Sequence, residues 1–469
     1  MTRQNSDARM RALALAAALA LAASGWARAD TLAEAFASAY ETNPELLAAR
    51  AALSAVDERV NQARAGYRPD VSASVRYGAD YSTQRARSTD DAQDPFSASI
   101  DASQSLYDGG QTSNSVRGRI ADVSATRAQL NSLEQDVLLR TVTAYVDVLR
   151  DQKFVELARN NVRVISEQLR ASRDRFEVGE VTRTDVSQAE AALAEANANL
   201  ADVTGNLERS RQNYRQVVGS EPLNLAPQPP LPPLPQSLDE AVTVALANHP
   251  DVIAARFTEE SRVRDVRTQI GGLLPQVALE ASVGYGDSAI FANSATTDQT
   301  EASIGVRATI PLYQGGAQYS RIREAQARAS EARADISVQA RARRQLVEAA
   351  WSELAVARAS IVAGRERVRA AQLAFEGVRE EAIVGSRTTL DVLDAEQETL
   401  DARTSLVDAM RNEYVAGYTL VAAVGALTAA QQGLTVVAYD PDVRYDLNND
   451  RLFGYEQTED TVWEEIWRP

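Results

Sequence analysis

The stretch VGSRTTLDVLD, residues 384–394, brings a turn residue, a cation and two carboxylates together within eleven residues. An earlier stretch, VGEVTRTDV at residues 178–186, carries the same Val, Gly, Thr, Asp and Val in register, 206 residues before it. The glycine near the start of each stretch can adopt positive φ, and the Thr or Asp beyond it can cap a new helix. Each stretch therefore predicts the tip of a helical hairpin, and the matched pair indicates a tandem duplication.

The 206-residue spacing continues along both halves of the chain. Leu106-Tyr107 matches Leu312-Tyr313, and Gly109-Gly110 matches Gly315-Gly316. A repeat of constant spacing predicts that the two halves share one architecture. Seven prolines between the halves predict a stiff, extended connector. The predicted organisation is a signal peptide at 1–29, a first repeat at 30–221, a connector at 222–236, a second repeat at 237–428 and a C-terminal segment at 429–469.

The start of the chain and its composition indicate an exported protein. Arginines precede an apolar run from Ala12 to Ala23, and Ala-Arg-Ala at 27–29 forms a cleavage site, so we expect the mature chain to begin near Asp30. The chain has 65 acidic and 49 basic residues, and this negative charge argues against nucleic acid as a partner. It has no cysteine, which excludes disulfide bonds and a lipid anchor on an N-terminal Cys.

Two segments in each repeat alternate apolar and polar residues, which predicts strands with one apolar face. They lie at about 70–82 and 95–107 in the first repeat and at about 276–287 and 300–312 in the second. Each has about the length of a tilted strand that crosses a bilayer. A spanning sheet has to close on itself, and four strands are too few, so several copies must pool their strands. Three copies would supply twelve.

Long helices are predicted to follow the strands in both repeats. The chain is almost free of Pro and Gly from each glycine pair to about Phe176 and Ala382, which predicts helices on the order of 100 Å long. Shorter helices then return over 184–218 and 390–424. Because a single long helix buries too little surface, we expect these helices to pack along their length as coiled coils.

With these motifs in this order, the chain resembles the TolC family of outer-membrane efflux and secretion channels. The resemblance covers the chain after the signal peptide. It rests on the glycine-paired turns after the strands (Gly109, Gly110, Gly315 and Gly316), the Val-Gly-x-x-Thr hairpin tips and the run Asp391-Val392-Leu393-Asp394. The implied fold is an α+β membrane protein, a homotrimer with a twelve-stranded β-barrel to which each chain contributes four strands. A long periplasmic α-helical barrel continues it, with the connector and the C-terminal segment as a belt around its middle.

The resemblance also implies roles for residues at the hairpin tips. Asp391 and Asp394 fall on paired aspartates that ring the periplasmic entrance, where they would form a gate and attract cations. Arg387 falls on an arginine that holds this entrance shut, with Thr184 and Asp185 as its partners across the helices. The exposed tips would dock partner proteins through Val178, Gly179, Thr182, Val384, Gly385 and Thr388.

One position departs from the family pattern. The best-studied members of the family carry a Tyr five residues before this arginine, whereas the chain has Ala382. We therefore expect one latch hydrogen bond to be missing, and closure to be weaker or built differently.

The acidic residues beyond the second tip have two interpretations. Asp391, Asp394, Glu398, Asp401 and Asp408 follow a spacing of three and four, which places them on one helix face. Such a face is often an ordinary solvated surface. Stacked like charges destabilise a helix slightly, and a pore lining would explain why the second repeat tolerates them.

The predicted function is a passive outer-membrane exit duct of a tripartite efflux system or a type I secretion system. The resemblance implies a periplasmic adaptor (membrane fusion) protein, an inner-membrane pump of the ABC or RND type and outer-membrane lipid as partners. The cargo, drugs or unfolded polypeptide, stays open. The alternative is a periplasmic coiled-coil adaptor without a membrane span, which would have no use for the four strands. We predict no enzyme, cofactor or metal site, since His249 is the single histidine and no nucleophile motif is present.

Overall fold

The computed structural model describes residues 30–78, 80–83, 90–93, 96–288, 297–437, 439–442 and 445. The predicted signal peptide and the tail beyond Tyr445 lie outside the described residues. The helices are α1 (Leu32–Thr42), α2 (Pro44–Arg64), α3 (Gln111–Glu177), α4 (Arg183–Val218), α5 (Leu238–Asn248), α6 (Pro250–Gly271), α7 (Ala317–Ile383) and α8 (Thr389–Ala423). The strands are β1 (Asp70–Tyr77), β2 (Asp80–Thr83), β3 (Asp90–Gln93), β4 (Phe96–Tyr107), β5 (Gln276–Ser288) and β6 (Thr297–Thr309).

The two longest helices, α3 and α7, have 67 residues each. At about 1.5 Å per residue each is roughly 100 Å long. Each follows a glycine pair in which every glycine has positive φ, from 62° to 81°. At Gly109 a side chain is also excluded by space, because an added Cβ would collide with the backbone oxygen of Gly271. Within the described ranges, no helix is both long enough and apolar enough to cross a membrane.

The chain divides into two compact units. The described residues of the first unit lie within 30–48, 130–250 and 340–437, and its core lies where α1, α3, α4 and α8 meet. Tyr145 of α3 is fully buried there, and its hydroxyl donates to the backbone oxygens of Asp30 (3.0 Å) and Ala226 (2.6 Å). One side chain thus joins the expected start of the mature chain to the proline-rich connector.

The described residues of the second unit lie within 49–129, 251–339 and 439–445, and this unit contains a four-stranded antiparallel sheet. The strand order is β1-β4-β5-β6, so β1 and β6 are the edges of this sheet. Polar side chains form cross-strand pairs between β5 and β6. The hydroxyls of Ser282 and Ser303 are 2.8 Å apart, and Arg307 binds Glu280 through two nitrogens. The apolar partners on neighbouring strands, such as Ile100, Val283 and Ile304, are more than half exposed. The described β1 ends at Tyr77, earlier than the sequence predicts, and β2 and β3 form a separate pair.

The described beginning of the C-terminal tail is docked onto this second unit. Asp442 accepts a hydrogen bond from Arg127 (2.7 Å), whose guanidinium also lies over the ring of Tyr445. Arg64 donates to the hydroxyl of Tyr445 (3.2 Å), and Arg50 lies over the ring of Tyr439. These contacts hold the described residues of the tail against α2 and α3.

Replacement of Tyr145 by Phe tests the joint in the first unit. The change removes the hydroxyl donor from two part-buried carbonyl oxygens, although the Asp30 oxygen keeps its hydrogen bond from the Ala226 N–H, so we expect a loss of about 1 kcal/mol of stability. The measurement is the thermal unfolding midpoint of the purified protein. The control is Tyr319→Phe, because the Tyr319 side chain is exposed. Equal midpoints for both variants would contradict the structural role of this hydroxyl.

Candidate functional site

The first hairpin tip joins α3 to α4. Gly179 adopts φ 81°, and its N–H donates to the backbone oxygen of Phe176 (3.0 Å), which closes the end of α3. Thr182 is the N-cap of α4, and its side chain accepts from the N–H of Asp185. The Asp185 carboxylate accepts in return from the backbone N–H (2.8 Å) and the hydroxyl (2.7 Å) of Thr182. This reciprocal capping box starts the returning helix.

The second tip, between α7 and α8, repeats this arrangement. Gly385 adopts φ 78°, and its N–H donates to the backbone oxygen of Ala382 (3.2 Å). Thr388 caps α8, and the Asp391 carboxylate accepts from the Thr388 N–H (2.9 Å) and hydroxyl (2.8 Å). The two tips therefore share one local structure at equivalent positions of the repeats.

The carboxylates at the tips differ in their hydrogen bonding and exposure. Hydrogen bonds from the backbone and side chain of Thr388 lower the pKa of Asp391, and the charge of Arg387 lowers it further. The side-chain and backbone hydrogen bonds from Thr182 lower the pKa of Asp185 in the same way. Asp394, one turn beyond Asp391, is exposed. Asp391 thus has a structural role in the cap besides any role in a gate.

Arg387 does not contact its predicted partners within this chain. Its Nε donates to Glu381 Oε2 (2.8 Å), and this hydrogen bond raises the pKa of Arg387. In the part of the chain that the structure describes, the Asp185 carboxylate is bound by Thr182, while Thr184 is exposed at the start of α4. A latch from Arg387 to Thr184 or Asp185 stays a prediction for contacts between chains.

The predicted acidic stripe of α8 does not stay on one solvated face. Asp394 and Asp401 line a groove of about 530 Å³ between α4 and α8, together with Glu195 of α4. Glu398 instead pairs with Arg367 of α7 (2.8 Å). Asp408 lies beside α3, and burial there raises its pKa. The helix thus directs its acidic residues to three surroundings, because α4, α7 and α3 pack around it.

Two features of the site escaped the sequence reasoning. Glu396 of α8 is buried among neighbouring helices, and this burial raises its pKa. Arg175, in the last turn of α3, donates to the backbone oxygen of Ala382 in the other hairpin (3.2 Å). The repeat register contains one clue, because Arg175 is equivalent to Glu381, so opposite charges occupy the same position of the two tips.

The family of the chain follows from the comparison with family models. The model described as outer membrane efflux protein matches residues 35–220 and again residues 241–426. The chain belongs to the outer membrane efflux protein family. The two matches start 206 residues apart and cover both helical hairpins and all four strands of the larger sheet.

Individual relatives and solved structures agree with this assignment. The chain is 38% identical to the outer membrane efflux protein BepC of Brucella suis over 91% of its length and 92% of the relative. It is 28% identical to the outer membrane protein TolC of Vibrio cholerae over 85% of its length and 92% of that chain. The solved structure of the outer membrane protein VceC of Vibrio cholerae aligns with 84% of the chain and 96% of VceC. The TM-score is 0.72 and the sequence identity is 21%, so the two proteins share the same fold.

The family confirms the predicted resemblance, fold class and outer-membrane location. The chain is an exit duct for efflux or secretion and not an enzyme, and the alternative of an adaptor without a membrane span is wrong.

Acidification should loosen the second tip. The ionised form of Asp391 is the one that Thr388 binds, so its folded pKa is below the ordinary value of about 3.9. Its contribution to stability is therefore present above that value and is lost as the pH falls through the folded pKa. Val384 is exposed, and the chain has no cysteine, so Val384→Cys gives one site for a spin label. The label should become more mobile below about pH 4. In Asp391→Asn the mobility of the label should be the same at every pH over this range. If this variant shows the same increase in mobility on acidification as the wild type, Asp391 is not the group that responds.

Proposed function

We propose that the chain acts as a homotrimeric efflux duct that exports small molecules delivered by an inner-membrane pump through a periplasmic adaptor protein. The observation that carries this proposal is the match to a relative named as an efflux protein, 38% identical along 91% of the chain. The relatives also include the alkaline protease secretion protein AprF of Pseudomonas aeruginosa at 26% identity. Export of polypeptide is therefore the second candidate.

The sheet supports assembly from several chains. Its edge strands β1 and β6 present unpaired backbone groups, and lipid offers no partner for such groups. The same strands carry exposed apolar side chains, such as Val75 on β1 and Val306 on β6. Pairing of β6 of one chain with β1 of the next satisfies both edges, and three chains together provide twelve strands.

The hairpin tips support contact with another protein. Val178 and Val384 are 72% and 79% exposed, although both are large apolar residues. An added Cβ at Gly179 or Gly385 would meet no atom within 4 Å, so both tips project into open space. Small, exposed and partly apolar tips at equivalent positions form the surface that we assign to the adaptor, with Thr182 and Thr388 holding its shape as N-caps.

The same tips are our candidate for the gate and the cation ring. Three chains would bring six carboxylates, Asp391 and Asp394 from each, to one narrow mouth. Two like charges a few ångströms apart repel by about 1 kcal/mol even in water, so such a ring favours cations and repels anions. In this arrangement Arg387 holds the mouth shut by reaching Thr184 or Asp185 of a neighbouring chain.

Deletion of the gene tests the cargo. We expect the deletion strain to become sensitive to a panel of drugs while its set of secreted proteins is unchanged. Complementation with the wild-type gene controls for other effects of the deletion. A missing secreted protein with unchanged drug sensitivity would replace efflux by polypeptide secretion as the function.

Replacement of Arg387 by Ser tests the gate. The variant loses the cation that would bind across chains, so we expect a several-fold higher single-channel conductance in planar bilayers. The control is Arg369→Ser, because Arg369 pairs with Glu366 within one turn of α7. Equal conductance of Arg387→Ser and wild type would remove Arg387 from the gate.

Neutralisation of the ring tests its selectivity. The variant combines Asp394→Asn with Asp391→Asn, which keeps an oxygen to accept from Thr388 at the cap. We expect lower cation selectivity, read from the reversal potential, and loss of block by a trivalent cation added at the periplasmic side. Glu398→Gln is the matched control, because Glu398 lies on the same helix but is paired with Arg367. If the double variant keeps wild-type selectivity and block, these aspartates lie on an outer face.

A further inference from the structure

A single side chain joins the two hairpins of one chain at their tips. Arg175 lies in the last turn of α3, and its Nη1 donates to the backbone oxygen of Ala382 in the last turn of α7, 3.2 Å away. The two residues are 207 positions apart in sequence. Arg175 is half-buried as a residue, and its hydrogen bond to Ala382 is partly shielded from water. By contrast, nearby Arg173 binds Glu190 (2.6 Å), which belongs to the same hairpin as Arg173 itself.

The acceptor is well suited to a cation. The last carbonyl groups of a helix have no intrahelical donor and carry the negative end of its dipole. Ala382 O accepts from the Gly385 N–H in the turn, and Arg175 fills its second acceptor position. The side chain of Ala382 is a buried methyl group, so no polar atom of that residue competes for the guanidinium.

Other contacts of the second tip converge on the same short segment. Glu381 Oε2 accepts from Arg387, and the backbone oxygen of Glu381 accepts from the N–H (3.0 Å) and the hydroxyl (2.9 Å) of Ser386. Two arginines, one from the other hairpin and one from the tip itself, therefore hold Glu381 and Ala382 in place.

The arrangement is specific to the second tip. At equivalent positions of the two repeats, 206 residues apart, Arg175 corresponds to Glu381, Phe176 to Ala382 and Val181 to Arg387. The first tip thus has neither the acceptor carboxylate nor the second arginine at the equivalent positions. The two repeats differ at these positions, and one of the residues that differ, Arg175, makes the contact between the hairpins.

We propose that Arg175 is a positioning residue that fastens the second hairpin tip to the first within each chain. It thereby sets where the turn before Asp391 and Asp394 lies. This inference deepens the proposed function and rests on it, because it concerns the segment that we assign to the gate. Loss of Arg175 removes the hydrogen bond between the two hairpins at the end of α7 in every chain, while the contacts within the second tip and the capping box of α8 stay intact.

The test compares Arg175→Ala and Arg175→Lys with the control Arg173→Ala. Arg173 has the same charge and lies two residues away, but its partner is within its own hairpin. The first measurement is hydrogen–deuterium exchange of the peptide 376–390, far from the substituted residue in sequence. The second is single-channel conductance of assemblies first shown to be the same oligomer.

We expect Arg175→Ala to speed exchange in 376–390 by about 2- to 10-fold, the range that one lost hydrogen bond supports, and to raise conductance. Arg175→Lys should fall between it and wild type, because lysine keeps the charge and one donor. Arg173→Ala should leave both quantities unchanged.

The outcomes separate the inference from the proposed gate. If Arg175→Ala and Arg173→Ala behave alike in exchange, the fastening role is overturned, whatever Arg387→Ser does. If exchange rises in Arg175→Ala but neither this variant nor Arg387→Ser changes conductance, the fastening is supported and the gate assignment of the tips is overturned.

Discussion

A helix of 67 residues buries too little surface to be stable alone, and the rest of this structure depends on how that shortage is met. In the first unit, α3 packs with α1, α4 and α8 around a cluster of tyrosines. Tyr145 and Tyr214 of the first repeat have ring centroids 6.4 Å apart, and Tyr414 and Tyr418 of the second are 5.2 Å apart. Both repeats contribute to this core, so packing in the first unit joins the two halves of the chain.

Charged residues extend the same joint between the repeats. Arg411 of α8 binds Asp147 of α3 (2.8 Å), and Arg150 binds Asp151, whose side chain is almost fully buried. Ser210 of α4 donates to the other oxygen of Asp151. A buried carboxylate is costly unless it is paired and hydrogen-bonded, and here it has both kinds of partner. The position of α8 against α3 is therefore specified by charge as well as by packing.

The hairpin tips combine two demands on the same residues. Asp391 closes the capping box of α8 and is also our candidate for the cation ring, while Arg387 is bound to Glu381 and is also our candidate for the latch. A residue that is already hydrogen-bonded costs less conformational entropy when it takes up a further role, because its side chain is ordered beforehand. Arg175 links the two hairpins by a hydrogen bond, so the position of the second tip is fixed relative to the first.

The sequence by itself determined the repeat, the four strands of the larger sheet, the long helices and the turns at Gly179 and Gly385. Each is a local pattern: a constant spacing, a period of two, a run without breakers, or a glycine that can take positive φ. Only the tertiary structure decided the partners of the charged side chains. Arg387 binds Glu381, Glu398 binds Arg367, and Arg175 reaches Ala382 across 207 residues. Partner choice depends on distances of a few ångströms between helices, and no local pattern specifies how separate helices pack against one another.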